Sequence, residues 1–155
     1  MDLVTSTLSK TCAGCTKCCE GYLSANIYGH EMNKTTPCFF VTLGSGCQIY
    51  DQRPENPCKS FICEWRYNPY VPEELKPLSS NIMLVKRSAG KHNFLLVVKA
   101  GDQVSQETFN HLKTYSETTG TNILWSFSEE EQGYFGSKEF GYAVTLFQLY
   151  EQFLS

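Results

Sequence analysis

The chain has 155 residues, of which 41% are hydrophobic, 14% aromatic and 19% charged, with a formal net charge of −3. That length suits a domain with enough apolar material to build a core without disulfides, and the composition argues against both a disordered chain and a membrane protein. With 16 Asp plus Glu against 13 Lys plus Arg there is no bulk electrostatic attraction to nucleic acid or to an anionic membrane.

No apolar run approaches the roughly 18 residues of a membrane span, and residues 1–8 lack the basic flank and apolar stretch of a signal peptide. A cytoplasmic location is therefore expected. All eight cysteines, Cys12, Cys15, Cys18, Cys19, Cys38, Cys47, Cys58 and Cys63, fall in the first 63 residues. In a reducing compartment such a density points to metal rather than to disulfides.

Taken in chain order, Cys12-x2-Cys15-x2-Cys18-Cys19 comes first. A two-residue spacer lets the chain turn tightly and direct two sulfurs at one ion, and repeating it brings a third. Cys18 and Cys19 are adjacent, and neighbouring side chains on an extended chain point to opposite sides. That favours two neighbouring sites or one multinuclear cluster, and eight thiolates suit two four-coordinate positions. A thioredoxin-like redox pair needs only two cysteines beside a βαβ unit, which is absent here. His30 lies inside this region and is the one histidine placed to replace a thiolate; His92 and His111 read as ordinary residues. Glu20 and Glu64, each next to a cysteine, read as solvated carboxylates.

Pro37-Cys38, Gly46-Cys47-x-Ile49-Tyr50, Arg53-Pro54 and Cys58-x2-Phe61-x-Cys63 follow. Gly46 permits a close approach, Tyr50 and Phe61 can shield a metal site, and Arg53 and Lys59 can offset thiolate charge. Tyr50, Arg53 and Lys59 are thus the candidates for holding the cofactor from beyond its ligands; for Arg53 a surface ion pair with Asp51 or Glu55 is an equal alternative. Gly21, Gly29, Pro37, Gly44, Gly46, Pro54 and Pro57 punctuate residues 20–57, as expected of loops that take their order from a ligand.

These residues, in this order, resemble the CxxCxxCC cysteine-cluster family, described as a zinc- or iron-chelating domain. The resemblance spans roughly residues 10–66 and includes every cysteine. It departs from the expected pattern between Pro54 and Cys58, where three residues stand instead of two. Related modules occur in flagellin lysine N-methylases, so the resemblance implies either a structural metal site or a redox or methyl-transfer role.

Beyond Trp65, three prolines within residues 68–77 read as a connector. Residues 81–86 and 94–99 are short apolar runs joined by Ser88-Ala89-Gly90-Lys91, the pattern of an antiparallel hairpin. Ser105 can cap a helix running through Glu117 and stopped by Gly120. Residues 122–127 read as a strand and 133–136 as a turn or edge strand. Ser128 and Glu131 have the form of a capping box, read here as part of a solvated acidic loop. From Lys138 to Leu154, Phe140, Ala143, Val144, Phe147, Tyr150 and Leu154 recur at helical spacing, widened by Leu146, Leu149 and Phe153. Trp65, Tyr67, Tyr70, Trp125 and Phe127 read as core aromatics before groove residues.

The expected fold is α+β: a loop-rich, metal-organised cysteine region over residues 1–66, then a small antiparallel sheet packed with helices over residues 67–155, the two joined as one domain. The expected function is metal binding through all eight cysteines in a binding or interaction module, with zinc preferred over an iron–sulfur cluster, and with a protein or small molecule as partner. An iron–sulfur-dependent redox or protein-methylating enzyme is the alternative. The Cys12-x2-Cys15-x2-Cys18 run has ferredoxin-like spacing but lacks the following Cys-Pro. No nucleophile elbow, HExxH, P-loop or GxGxxG fingerprint is present, so no catalytic residues are named.

Overall fold

The computed structural model describes residues 15, 17–20, 24–33, 36–42, 46–59 and 61–152, with backbone alone at positions 19, 57 and 59. The fold is α+β, and the chain divides into two compact units, Met1–Tyr70 and Val71–Ser155.

The first unit is built from short pieces. Strands β1 (Ala25–Ile27) and β2 (His30–Met32) form an antiparallel hairpin through Tyr28-Gly29. Both turn residues have positive φ, 50° and 89°, the signature of the tight turn that matches strand twist. A bulky residue at positive φ is uncommon, and Tyr28 is held there by its hydroxyl, which donates to the Gln52 carbonyl at 2.6 Å. Strands β3 (Val41–Thr42) and β4 (Gly46–Cys47) pair antiparallel, with Val41 opposite Cys47. Ile27, Met32 and Cys38 form a small buried core, with Phe40, Val41, Ile49 and Cys58 packed against it. Helix α1 (Glu64–Tyr67) starts directly after Cys63.

The second unit contains the extended sheet. Strands β5 (Ile82–Ala89) and β6 (His92–Lys99) form the expected hairpin, and it runs further than the apolar runs alone, to a two-residue turn at Gly90-Lys91. Strand β7 (Ile123–Ser126) lies parallel to β6, and β8 (Gln132–Phe135) antiparallel to β7, giving the order β5-β6-β7-β8. The sheet is therefore mixed, where the sequence suggested antiparallel pairing throughout. The cause is the intervening helix over Gln106–Thr119, which carries the chain back to the starting end before β7 begins.

Helix α2 (Pro77–Ser80) opens with Pro77 at its first position, where a missing N–H costs nothing. Helix α3 (Gln106–Thr119) has the anticipated ends: Ser105 Oγ accepts from the Thr108 N–H, and Gly120, at φ 71°, donates its N–H to the Ser116 carbonyl. The Pro-rich connector holds more than linkage, since Val71 and Leu75 are fully buried, and the turn Glu73–Leu75 packs on α3.

Alternation along the strands sorts the core into two faces. Phe94, Leu96 and Leu124 meet Phe140, Val144 and Leu149 on one face. On the other, Phe109 of α3 packs on Trp125, ring centroids 5.1 Å apart. Helices on both faces explain why β5 and β6 read as continuous apolar runs rather than as alternating ones. The single C-terminal helix expected over 138–154 is instead two: α4 (Lys138–Leu146) and α5 (Leu149–Gln152), separated at Gln148, whose φ is +51°. The break turns Leu149 into the core while Leu146 stays 77% exposed, so the widened stripe is not one face of one helix. Ser126 Oγ, donating to the Tyr150 carbonyl at 2.8 Å, fixes α5 to the sheet. Phe153 and Leu154 lie outside the described residues.

Gly133 sits opposite Trp125 in the β7–β8 pair, and a Cβ there would run into the indole ring. Gly133→Val should therefore destabilise this unit by about 1–3 kcal/mol through overpacking, read from the midpoint of denaturant unfolding. An unchanged midpoint would show that the indole swings aside freely.

Candidate metal centre

Four segments of the first unit bring cysteines together. The 3-10 turn Lys17–Cys19 carries Cys18. Cys38 is buried at the start of a turn in which the Val41 N–H reaches back to its carbonyl at 3.2 Å. The β3–β4 pairing, continued by the Gln48 N–H donating to the Phe40 carbonyl at 2.8 Å, returns Cys47 alongside the chain that has just left Cys38. Cys58 packs against the core to which Cys38 belongs.

Cys58 reports on this gathering. Burial pushes its thiol above its ordinary value, and the charges of Cys38, Cys47 and Cys18 push it further, opposed by the Arg53 guanidinium. Among the described residues, Cys15, Cys18, Cys38, Cys47, Cys58 and Cys63 form no disulfide. Among the described residues, no three His, Cys, Asp or Glu side chains already stand in ligation geometry about a common point.

Glycine at position 46 is required for its backbone: φ is +133°, and a Cβ would meet nothing within 4 Å. Its positive φ is a conformation that glycine adopts without strain. Between Pro54 and Lys59 the chain makes a wide, kinked turn over Glu55–Lys59, with Asn56 extended.

Arg53 leads into this turn. Its Cζ lies 3.9 Å from the centroid of the Tyr50 ring, and hydrogen bonding to the Tyr50 side chain raises the guanidinium pKa above its ordinary value, against a lowering by burial. Tyr50, Tyr67 and Cys58 add to the rise when they are anionic. The Arg53 Nε–H is buried with no acceptor in reach. Tyr50 itself is 54% exposed, so it serves as a platform for Arg53 rather than as a shield. Tyr28, bonded to the Gln52 carbonyl, clamps the Tyr50–Gln52 turn that sets this arrangement.

The other candidates fall out as follows. Cys12 and the side chains of Cys19 and Lys59 lie outside the described residues. Cys15 and Cys63 are partly exposed, Cys63 at the start of α1 with its carbonyl accepting from the Arg66 N–H at 3.0 Å. His30 lies flat on Phe39, centroids 3.9 Å apart, and edge-on to Phe40. Glu64, read from sequence as solvated, is only 3% exposed and accepts from Asn68 Nδ2 at 2.9 Å. Its burial follows from the helix that starts at Glu64 itself, an element too short to announce itself by periodicity. Trp65 and Phe127 are buried, as core aromatics should be, whereas Tyr67 and Tyr70 are exposed.

Comparison with protein-family models, with curated proteins and with solved structures finds no match to this chain. No helix among the described residues is long and apolar enough to cross a membrane.

Proposed function

We propose that the chain is a metal-binding protein that holds zinc, or an iron–sulfur cluster, through its cysteines and acts as a binding or interaction module in the cytoplasm. The observation that carries this reading is the packing of Cys58 on the small core that holds Cys38, with the β3–β4 pairing returning Cys47 alongside the chain that leaves Cys38. Mutual repulsion between neighbouring thiolates opposes their approach. A bound cation reverses that sign.

The donor chemistry fits. Thiolates are the preferred ligands of zinc and of iron–sulfur clusters, and a tetrathiolate zinc centre carries excess negative charge that neighbouring donors must offset. Arg53 supplies a permanent cation and a buried, unsatisfied N–H that a metal-bound thiolate can accept, the outer-sphere role common around metal centres. When bound, the metal would supply the cross-link that orders the short strands and turns of the first unit. The resemblance to the CxxCxxCC family supports the same reading. The acidic net charge argues against bulk nucleic-acid binding, and a protein or small molecule is the expected partner.

An iron–sulfur enzyme of redox or methyl-transfer type is the second reading, favoured by the ferredoxin-like spacing of Cys12, Cys15 and Cys18. Elemental analysis with an absorption spectrum of anaerobically purified protein separates the two. Zinc with no visible absorption is the expected result. Iron with visible charge-transfer bands would move the assignment to a cluster, and protein purified without any transition metal would contradict both.

A further inference from the structure

We infer that the second unit docks on an anionic lipid surface through one end, formed by the tip of the β5–β6 hairpin and the adjoining end of α4. Arg87 and Lys91 meet the headgroups, and Tyr142, Leu146 and Phe147 enter the interfacial layer. No cysteine takes part, so the inference stands apart from the metal reading above.

Charge in this unit is sorted along the sheet. Between Glu74 and Asp102 the chain has five cations, Lys76, Lys86, Arg87, Lys91 and Lys99, and no acidic side chain. Lys86, Arg87 and Lys91 are exposed at the hairpin tip. There the hairpin overhangs the rest of the sheet, since β7 pairs with β6 only at Leu95–Val97 while the β5–β6 ladder continues to Ala89 and His92. Strand β7 runs parallel to β6, away from the tip, so the exposed Glu129, Glu130 and Glu131 that follow it stand at the other end, on the order of 20 Å away by strand rise. With Asp102 they outnumber Lys99 there. The net charge of −3 thus conceals a cationic end and an acidic end.

The cationic end also carries apolar side chains that the fold leaves in solvent. Tyr142 and Leu146, one turn apart on α4, are 75% and 77% exposed, and Phe147 is 42% exposed. The positive φ of Gln148 ends the helix and turns Leu149 into the core, which leaves Leu146 and Phe147 at its edge. The Phe147 ring lies against the hairpin turn, where a Cβ on Gly90 would stand 3.3 Å from it. Arg87 is opposite Phe94 in the register, on the sheet face that α4 covers, and its guanidinium donates to the Lys86 carbonyl at 2.9 Å. Cations and apolar groups therefore share one surface.

An anionic bilayer answers both features, because its headgroups are negative and its interface takes up aromatic and aliphatic side chains. A second copy of the chain answers only the charge: its acidic loop reads Ser128-Glu129-Glu130-Glu131-Gln132, with no apolar side chain to cover Tyr142 and Leu146. The nearby carboxylates leave the surface cationic. Glu139 adjoins Lys138 at the start of α4, about two helical turns before Leu146. Glu151 follows Tyr150, whose carbonyl accepts from Ser126 toward the acidic end.

The test is co-sedimentation of the full chain with large vesicles at low ionic strength. Vesicles of phosphatidylcholine mixed with phosphatidylserine should carry the protein down, and vesicles of phosphatidylcholine alone should not. Salt near 1 M, where the Debye length is about 3 Å, should release most of it. Arg87→Glu combined with Lys91→Glu should lower the partition coefficient about tenfold or more. Tyr142→Ser combined with Leu146→Ser, at exposed positions that leave the core intact, should lower it about tenfold. Glu130→Gln, at the acidic end, should not weaken binding. In Leu146→Trp the new indole should shift its emission to shorter wavelength on the anionic vesicles. Protein left in solution by anionic vesicles would overturn the proposal and give this surface to an acidic protein segment instead. Equal sedimentation with neutral vesicles, or undiminished binding by the charge-reversed variant, would overturn it as well. An unshifted indole at position 146 on vesicles that carry the protein down would overturn the insertion of α4.

Discussion

Removing metal from the full chain should abolish amide protection across residues 15–63 while leaving Ile82–Ala89 and His92–Lys99 protected. Among its described residues the first unit has strands of two and three residues and a small core on Ile27, Met32 and Cys38, with Trp65 also buried, so little apolar burial is available to offset the conformational entropy of its turns. On the metal-thiolate proposal, its folding free energy comes largely from ligation, which for structural zinc sites is on the order of 10 kcal/mol. The second unit has its own sheet, covered on both faces, and needs no such help. Hydrogen exchange of chelator-treated protein, followed by mass spectrometry, checks this. Undiminished protection over 15–63 would mean that the metal decorates a fold already stable without it, and would favour an exchangeable or catalytic ion over a structural one.

The second large effect lies in the core of the sheet. Phe140→Ala should destabilise the second unit by about 3–5 kcal/mol, the usual cost of a large aromatic-to-alanine cavity. Phe140 is fully buried on α4 and touches Phe94 of β6, with centroids 5.5 Å apart, and Tyr134 of β8 edge-on at 5.9 Å. It therefore joins the helix to two non-adjacent strands. Its backbone N–H also receives the cap of Ser137, whose Oγ accepts at 3.1 Å, so the residue stands where the helix starts and where it docks. The shift in denaturation midpoint measures the cost. A loss below about 1 kcal/mol would mean that α4 is held mainly by its continuation through Leu149 and Tyr150.

Legibility followed from how local the signal was. The hairpin β5–β6 could be read because two β-branched runs flank a glycine turn, and α3 because Ser105 and Gly120 mark its ends. The parallel pairing of β6 with β7 could not be read from the strands, whose apolar runs are the same for either direction; the helix between them carried that information. The break at Gln148 escaped because Phe147, Tyr150 and Leu154 keep helical spacing across it, and only tertiary packing of Leu149 selects the kink. Tyr28-Gly29 gave little warning, since a tyrosine at positive φ is stabilised by its distant bond to Gln52 rather than by its own preference. Val71 and Leu75 were hidden among prolines. The cysteines were legible as candidate ligands by type and spacing, but the β3–β4 pairing that returns Cys47 past Cys38 was not, because no spacer encodes it.

The central claim, that the cysteines hold metal, is most directly tested by thiol alkylation of protein taken from reducing conditions. Before metal removal the thiols should react slowly, and after chelation and denaturation the intact mass should show all eight cysteines modified. Persistent disulfides in the denatured protein, or rapid modification of every thiol in the untreated protein, would contradict it.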